Sequence, residues 1–195
     1  GYKAVTFYAM SGFHRFDGEL GWIQKSNYEA FFTSREFRVN VKSNSEGFRD
    51  QNYPFKKPAG LKRVVVLGDS FTWGWGVEQQ EIFCEVAEKK FQKMEFLNLG
   101  QNSYGTGQEY LLLKNLGMKY LPDLTVLAFF PNDIMDNAGK NLKRPSFILD
   151  EGKLVKAKFP KPLTFPKKVK KFFNEHFALY SLIDYRLSLL RTLRT

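Results

Sequence analysis

Residues 64–77, VVVLGDSFTWGWGV, decide the architecture, because they carry a buried strand directly into a serine at a turn. The run from Arg63 to Leu67 is rich in β-branched residues and stops at Gly68, which predicts a strand feeding a turn. Ser70 then falls at the strand's carboxyl end, where open α/β sheets gather their ligands. A hydroxyl held there can act as a nucleophile. Asp69 adjoins it on the same turn, a place where an aspartate bonds loop amides and shapes the backbone.

Working outward, two more apolar runs end in chemistry-bearing residues. Glu95 to Leu99 reads as a strand that continues into Asn98-Leu99-Gly100-Gln101-Asn102-Ser103-Tyr104-Gly105-Thr106-Gly107-Gln108, a small-residue loop entering a helix. Leu124 to Phe130 reads as a third strand and ends in Pro131-Asn132-Asp133. The predicted order is strand 63–67, helix 80–93, strand 95–99, helix 107–119 and strand 124–130. Short connections and this alternation imply right-handed crossovers, a parallel sheet and helices on both of its faces. Ser70, the 100–107 loop and Asn132 are then expected to converge at one edge.

The Gly68-Asp69-Ser70-Phe71, Asn98-Leu99-Gly100 and Asn132-Asp133 blocks, in this order, resemble those of the SGNH hydrolases, also called GDSL esterases and lipases. The match covers about 63–137. It implies a three-layer α/β/α, flavodoxin-like fold, incomplete at its C-terminus, and a serine esterase that needs no cofactor and no metal. The resemblance assigns Ser70 as nucleophile and, through its backbone N–H, as one oxyanion donor. Asn132 supplies a second donor from its side-chain amide. The third, a backbone N–H normally held by glycine, falls on Ser103, with Gly105 two residues later as the other candidate. A serine there must adopt dihedrals that favour glycine if φ is positive. Asp69 and Asp133 support the site. Fixed donors of this kind are effective because they need not reorganise as charge develops on the attacked carbonyl.

A serine hydroxyl also needs a general base, usually histidine oriented by a carboxylate. The family carries this pair as Asp-x-x-His near its C-terminus, and that spacing does not occur here. The two histidines are His14 and His176, neither with an acid three residues before it. Three explanations stand. The base lies in sequence beyond Thr195, where the chain stops inside an apolar, basic helix pattern; or His14 or His176 serves in an unusual arrangement; or the chain is a non-catalytic relative.

The remaining sequence frames the site. Residues 1–60 form an N-terminal extension expected to pack on the domain 61–195. It contains a predicted hairpin, Tyr28 to Thr33 and Glu36 to Lys42 about Ser34-Arg35, then the turn Asn44 to Asp50. Arg49 in that turn can reach an anionic substrate group or tie the loop to the domain. Trp73 and Trp75 can stack on a sugar ring or line an acyl pocket, or pack the core. The proline- and lysine-rich stretch 140–166 reads as an insertion over the site, a lid or recognition loop. Residues 167–195 read as a basic amphipathic helical segment.

Charge separates these parts. The net +10 is concentrated in Lys153 to Thr195, with 11 basic and 2 acidic residues, against 19 and 18 before it. That tail reads as a solvated helix face or a membrane-surface contact. No nucleic-acid module accompanies it, so no nucleic-acid partner is expected. The single cysteine, Cys84, excludes an internal disulfide and is expected in the core with Ile82, Phe83, Val86, Ala87 and Phe91. No run of about 20 apolar residues is present. The expected activity is hydrolysis of O-acyl groups, acetyl or another short acyl, on a carbohydrate through an acyl-Ser70 intermediate. Acyl transfer to an exopolysaccharide and carbohydrate binding without turnover are the alternatives. Carbohydrate-active relatives imply extracytoplasmic placement.

Overall fold

The computed structural model describes residues 12–138 and 144–156. The helical pattern of 167–195, its Lys167 to Lys171 cluster and His176 lie outside the described residues, as does much of the 140–166 insertion.

The strand predicted at Arg63 to Leu67 is β5, Lys62–Gly68. It lies at the centre of a three-stranded parallel sheet, between β6, Met94–Asn98, and β7, Leu124–Ala128. Both faces of β5 are covered, which is why its sequence is continuously apolar. Val64 and Val66 pack with Ile82 and Cys84, while Val65 and Leu67 pack with Leu97, Leu99, Leu111 and Leu112. At its start Arg63 is buried and satisfied. It pairs with Glu95 at 2.6 Å and donates to the carbonyls of Pro54, Phe55 and Tyr120. A charge so buried is tolerable only with such partners.

The helices are shorter than their periodicity predicts. In place of helix 80–93 there is a 3-10 turn, Gln79–Glu81, and then α2, Phe83–Lys90. Extended dihedrals at Ile82 separate the two, and Glu81 reaches back to the Glu78 N–H at 2.8 Å as a cap does. Cys84 and Ile82 are buried as expected, whereas Phe83, Val86 and Phe91 are half exposed, so the apolar stripe of α2 is narrower than the sequence suggests. Helix 107–119 is likewise α3, Thr106–Asn115, followed by a 3-10 turn at Gly117–Tyr120. β7 ends at Ala128 rather than Phe130, and four of its five residues are exposed.

The N-terminal extension forms two antiparallel hairpins. β1, His14–Asp17, with β2, Gly21–Gln24, was not marked by any clear alternation. β3, Glu29–Thr33, pairs with β4, Arg38–Lys42, as the alternation predicts. Ser34 Oγ closes the second turn by accepting from the amides of Glu36 and Phe37. A second hairpin absent from the prediction, β8, Phe147–Asp150, with β9, Lys153–Lys156, forms inside the 140–166 insertion. Phe147 places its ring 6.2 Å from Tyr110 of α3, and Lys156 pairs with Glu19. Among the described residues no helix is long and apolar enough to cross a membrane.

Candidate active site

Ser70 opens α1, Ser70–Trp73, at the tip of β5. Asp69 caps this short helix, its Oδ1 accepting from the Phe71 N–H at 2.9 Å. The glycines flanking the turn are there for space. A Cβ on Gly68 would lie 2.1 Å from Thr72 Oγ1, and one on Gly100 would lie 2.5 Å from the Trp73 backbone nitrogen. The nucleophile helix therefore rests directly on the start of the second block. The Ser70 carbonyl accepts from Gly74 and Trp75, whereas its hydroxyl and amide have no hydrogen-bond partner among the described residues.

The second block turns back over this helix. Its Gln101 N–H donates to the Gly68 carbonyl at 3.1 Å, and Tyr104 N–H closes a turn onto Gln101 O at 3.2 Å. Ser103 occupies the third position of that turn with φ of 60° and is exposed. A left-handed residue is required there, which is why glycine would be the easier choice. Gly105 differs. It is buried, extended at φ −115°, and caps α3, with its N–H directed to Gln108 Oε1 at 3.4 Å. The Gly105 amide thus faces the helix end, while Ser103 lies on the exposed turn of this loop.

The third block is α4, Asn132–Ala138, and it meets both others. Asn132 is exposed and divides its amide between Asp69 Oδ2 at 3.4 Å and Asp136 Oδ2 at 3.3 Å. Asp133 is fully buried; its Oδ2 accepts from the Phe130 N–H at 3.2 Å and from Thr106 Oγ1 at 3.5 Å. The Gly107 N–H donates to Asn137 Oδ1 at 3.0 Å. Arg144 pairs with Asp136 at 2.8 Å. Each sequence block thus contacts the other two through named hydrogen bonds or backbone packing.

Two of the candidate substrate contacts are buried, in line with their structural alternatives of loop tie and core packing. Arg49 is 0% exposed and donates to the carbonyls of Gly74, Val77 and Asn40, with its guanidinium 5.0 Å from the Trp73 ring. It ties the loop after Ser70 to β4; burial lowers its pKa to about 10, with the charge of Glu78 opposing. Trp73 is equally buried, its Nε1 donating to Gln24 Oε1 at 2.7 Å. Trp75 is 45% exposed and rests edge-on against Phe32, centroids 4.7 Å apart. Sequence reasoning missed a second aromatic pair, Phe71 and Phe130, whose rings lie 4.6 Å apart and are both exposed. Their signal was positional: one follows the serine, the other ends the run before Asn132.

The extension also reaches the site through backbone bonds. Gln101 accepts from the Gln24 N–H and donates to Gly47 O, and Trp22 Nε1 donates to Asn102 O. The turn carrying Ser103 is therefore braced from the N-terminal hairpins. A polar cavity of about 440 Å³, lined in part by Asn44, Asp50, Gln79 and Glu85, includes none of Ser70, Ser103 or Asn132. Among the described residues no group of His, Cys, Asp and Glu is arranged to hold a metal. Cys84 is buried, and burial pushes its thiol pKa up, so it is not a reactive nucleophile. Neither a family model nor a curated protein matches this sequence.

Proposed function

We propose that this chain is a serine ester hydrolase of the SGNH type that removes an acetyl or other short O-acyl group from a carbohydrate. The observation that carries the reading is the junction at Ser70: its hydroxyl and amide have no partner among the described residues, and its neighbours tie it onward, Asp69 to the Asn132 carboxamide and Gly68 to Gln101 of the loop that holds Ser103. The strand order β6-β5-β7 also agrees with the first three strands of a flavodoxin-like sheet. In this reading Ser70 Oγ attacks the ester carbon as a base takes its proton. The carbonyl oxygen becomes an oxyanion bonded by the Ser70 and Ser103 amides and one Asn132 N–H. Collapse expels the sugar hydroxyl and leaves acyl-Ser70, which water hydrolyses. Asn132 gives up its exposed contact with Asp136 to serve the oxyanion and keeps the one with Asp69. Phe71, Phe130 and Trp75 offer faces for a sugar ring or a short acyl chain.

A second reading is a carbohydrate-binding relative without turnover, which needs no general base at Ser70. Hydrolysis of p-nitrophenyl acetate separates the two. Release that depends on Ser70, abolished in Ser70→Ala, is expected for the esterase. Equal rates in both proteins, with carbohydrate affinity unchanged by loss of the hydroxyl, would reject it in favour of binding.

A further inference from the structure

Two carboxylates hold the Asn132 amide, and one of them is met in turn by a cation from another part of the chain. Asn132 Nδ2 donates to Asp69 Oδ2 at 3.4 Å and to Asp136 Oδ2 at 3.3 Å. Asp136 lies one turn further along α4, so the helix itself brings its carboxylate beside the amide. The other oxygen of Asp136, Oδ1, is 2.8 Å from Arg144 Nη1. Arg144, Asp136 and Asn132 thus form a continuous chain of contacts that ends on the amide assigned to the oxyanion.

Arg144 belongs to the segment that enters β8, outside the three sequence blocks. Its side chain is 12% exposed and its guanidinium lies 5.5 Å from the centre of the Trp22 ring, while Trp22 Nε1 donates to Asn102 O of the second block. Phe147, three residues on, packs on the first turn of α3, where a Cβ on Gly107 would lie 3.0 Å from its Cε2. Arg144 is therefore carried to α4 by an element docked on α3 and on the N-terminal extension. Its Nε and Nη1 are buried and make no hydrogen bond. The pair with Asp136 is a contact of charges, not a fork of N–H bonds closed on a carboxylate.

Such a contact suits the exchange that ester cleavage demands. As the attacked carbonyl becomes an oxyanion, an Asn132 N–H has to leave Asp136 and turn to the new charge. A bare carboxylate opposes this in two ways, because an anionic acceptor holds the N–H strongly and its charge repels an oxyanion bound to the same amide. We propose that Arg144 is a positioning residue that neutralises Asp136 and so frees the Asn132 amide for the oxyanion. It touches neither the substrate nor Ser70; it acts through Asp136 on Asn132. The catalytic part of this inference rests on the esterase reading, whereas the hold of Arg144 over the Asn132 amide does not.

Substitutions in the whole chain separate charge from packing. Arg144→Met keeps an apolar stem against Trp22 and removes the charge, and Arg144→Lys keeps the charge without the fork. With p-nitrophenyl acetate, Arg144→Met is expected to lower kcat by roughly tenfold with KM changed less than about twofold, as a donor withheld from the transition state does. Arg144→Lys keeps most of kcat. In an Asp136→Asn background, where no charge is left to neutralise, Arg144→Met costs less than about threefold. A merely structural role gives the reverse, with methionine tolerated, lysine not, and no help from asparagine at 136. Full kcat in Arg144→Met, or an equal loss in both backgrounds, overturns the proposal. Urea midpoints check that each variant folds, and they are expected to move little because the acid of the pair is 26% exposed. Should Arg144→Met not fold, Arg144→Gln takes its place in the same comparison.

Nuclear magnetic resonance reads the contact without turnover. The side-chain amide signals of Asn132, identified by their loss in Asn132→Ala, are expected to shift in Arg144→Met, where Asp136 takes the amide more strongly. The same substitution in the Asp136→Asn background leaves them in place. An Asn132 amide indifferent to Arg144 overturns the proposal whatever the kinetics. Ester cleavage unaffected by Ser70→Ala ends the esterase reading and the catalytic role with it, whereas Ser70-dependent cleavage untouched by Arg144→Met ends this proposal alone.

Discussion

Asn132 and Asp69, 63 residues apart, are joined side chain to side chain, Nδ2 to Oδ2 at 3.4 Å, while the other Asp69 oxygen caps the helix that begins at Ser70. One carboxylate therefore sets both the nucleophile's backbone and the orientation of the amide proposed to bind the oxyanion. Asp69→Ala removes a helix cap, an expected loss of about 1 kcal/mol in urea unfolding. It also frees Asn132, so kcat for p-nitrophenyl acetate is expected to fall by a factor of roughly ten or more. A drop in stability with full activity would separate Asp69 from the site.

Ser103 carries the backbone strain of the second block. With φ of 60° it adopts a conformation that costs a side chain about 1 kcal/mol relative to glycine. Ser103→Gly is expected to raise stability by about that amount or to cancel it against the greater freedom of the unfolded chain. Ser103→Val, β-branched in a left-handed position, is expected to cost about 2 kcal/mol and to lower kcat more than it raises KM. The denaturation midpoints and the split between kcat and KM check both.

How much of this was legible depends on which rule each residue obeys. The three strands were readable because each is a short, mostly apolar run leading into small or polar residues, and the block order placed Ser70 and Asn132 after two of them. Trp73 and Trp75 were not separable, being two residues apart in equivalent surroundings. The left-handed Gly74 between them, φ 90°, ends α1 and sends the first ring into the core and the second outward. The sequence leaves Arg49 between a substrate contact and a tie from loop to domain, and its burial decides for the tie. Charged residues are surface residues by default, and only tertiary carbonyls or a neighbouring carboxylate make an exception. The β1–β2 and β8–β9 hairpins were missed because four-residue strands with charged residues carry too little alternation to register.

Arg49 makes a sharp case of that exception. Its guanidinium serves three carbonyls on two segments, a geometry a single ammonium cannot reproduce. Arg49→Lys is therefore expected to destabilise nearly as much as Arg49→Met, each by about 3 kcal/mol, because carbonyls are left buried without donors. Urea unfolding of the two variants compares them. Recovery by lysine would mean that charge, rather than the planar fork, matters.

Asp50 gives a pH dependence outside the site. Burial raises its carboxyl well above the usual range, and the charges of Glu85 and Glu88 add to this, against hydrogen bonds from the Asn98 and Gln51 amides. A carboxyl with a raised folded pKa stabilises the fold below its ordinary value of 3.8, and that contribution is lost as pH rises toward the folded value. Asp50→Asn cannot ionise. Its stability relative to the wild type should therefore climb steadily from acid to neutral pH in thermal melts, and a flat difference would show that Asp50 titrates normally.

The central strand and one edge strand of the sheet lead to a prediction about what sequence pattern can and cannot imply. Leu67 and Leu127 are register partners on parallel strands, β5 and β7, and both belong to apolar runs that read as buried. Yet Leu67 is 2% exposed and Leu127 45%. The cost of truncation follows lost contacts and the cavity left behind, not hydrophobicity alone. Leu67→Ala is expected to cost about 3 kcal/mol in urea unfolding, and Leu127→Ala less than about 1 kcal/mol. Similar losses would mean that the outer face of β7 is covered in solution, and that its apolar sequence reports a contact made by some part of the protein beyond the sheet described here.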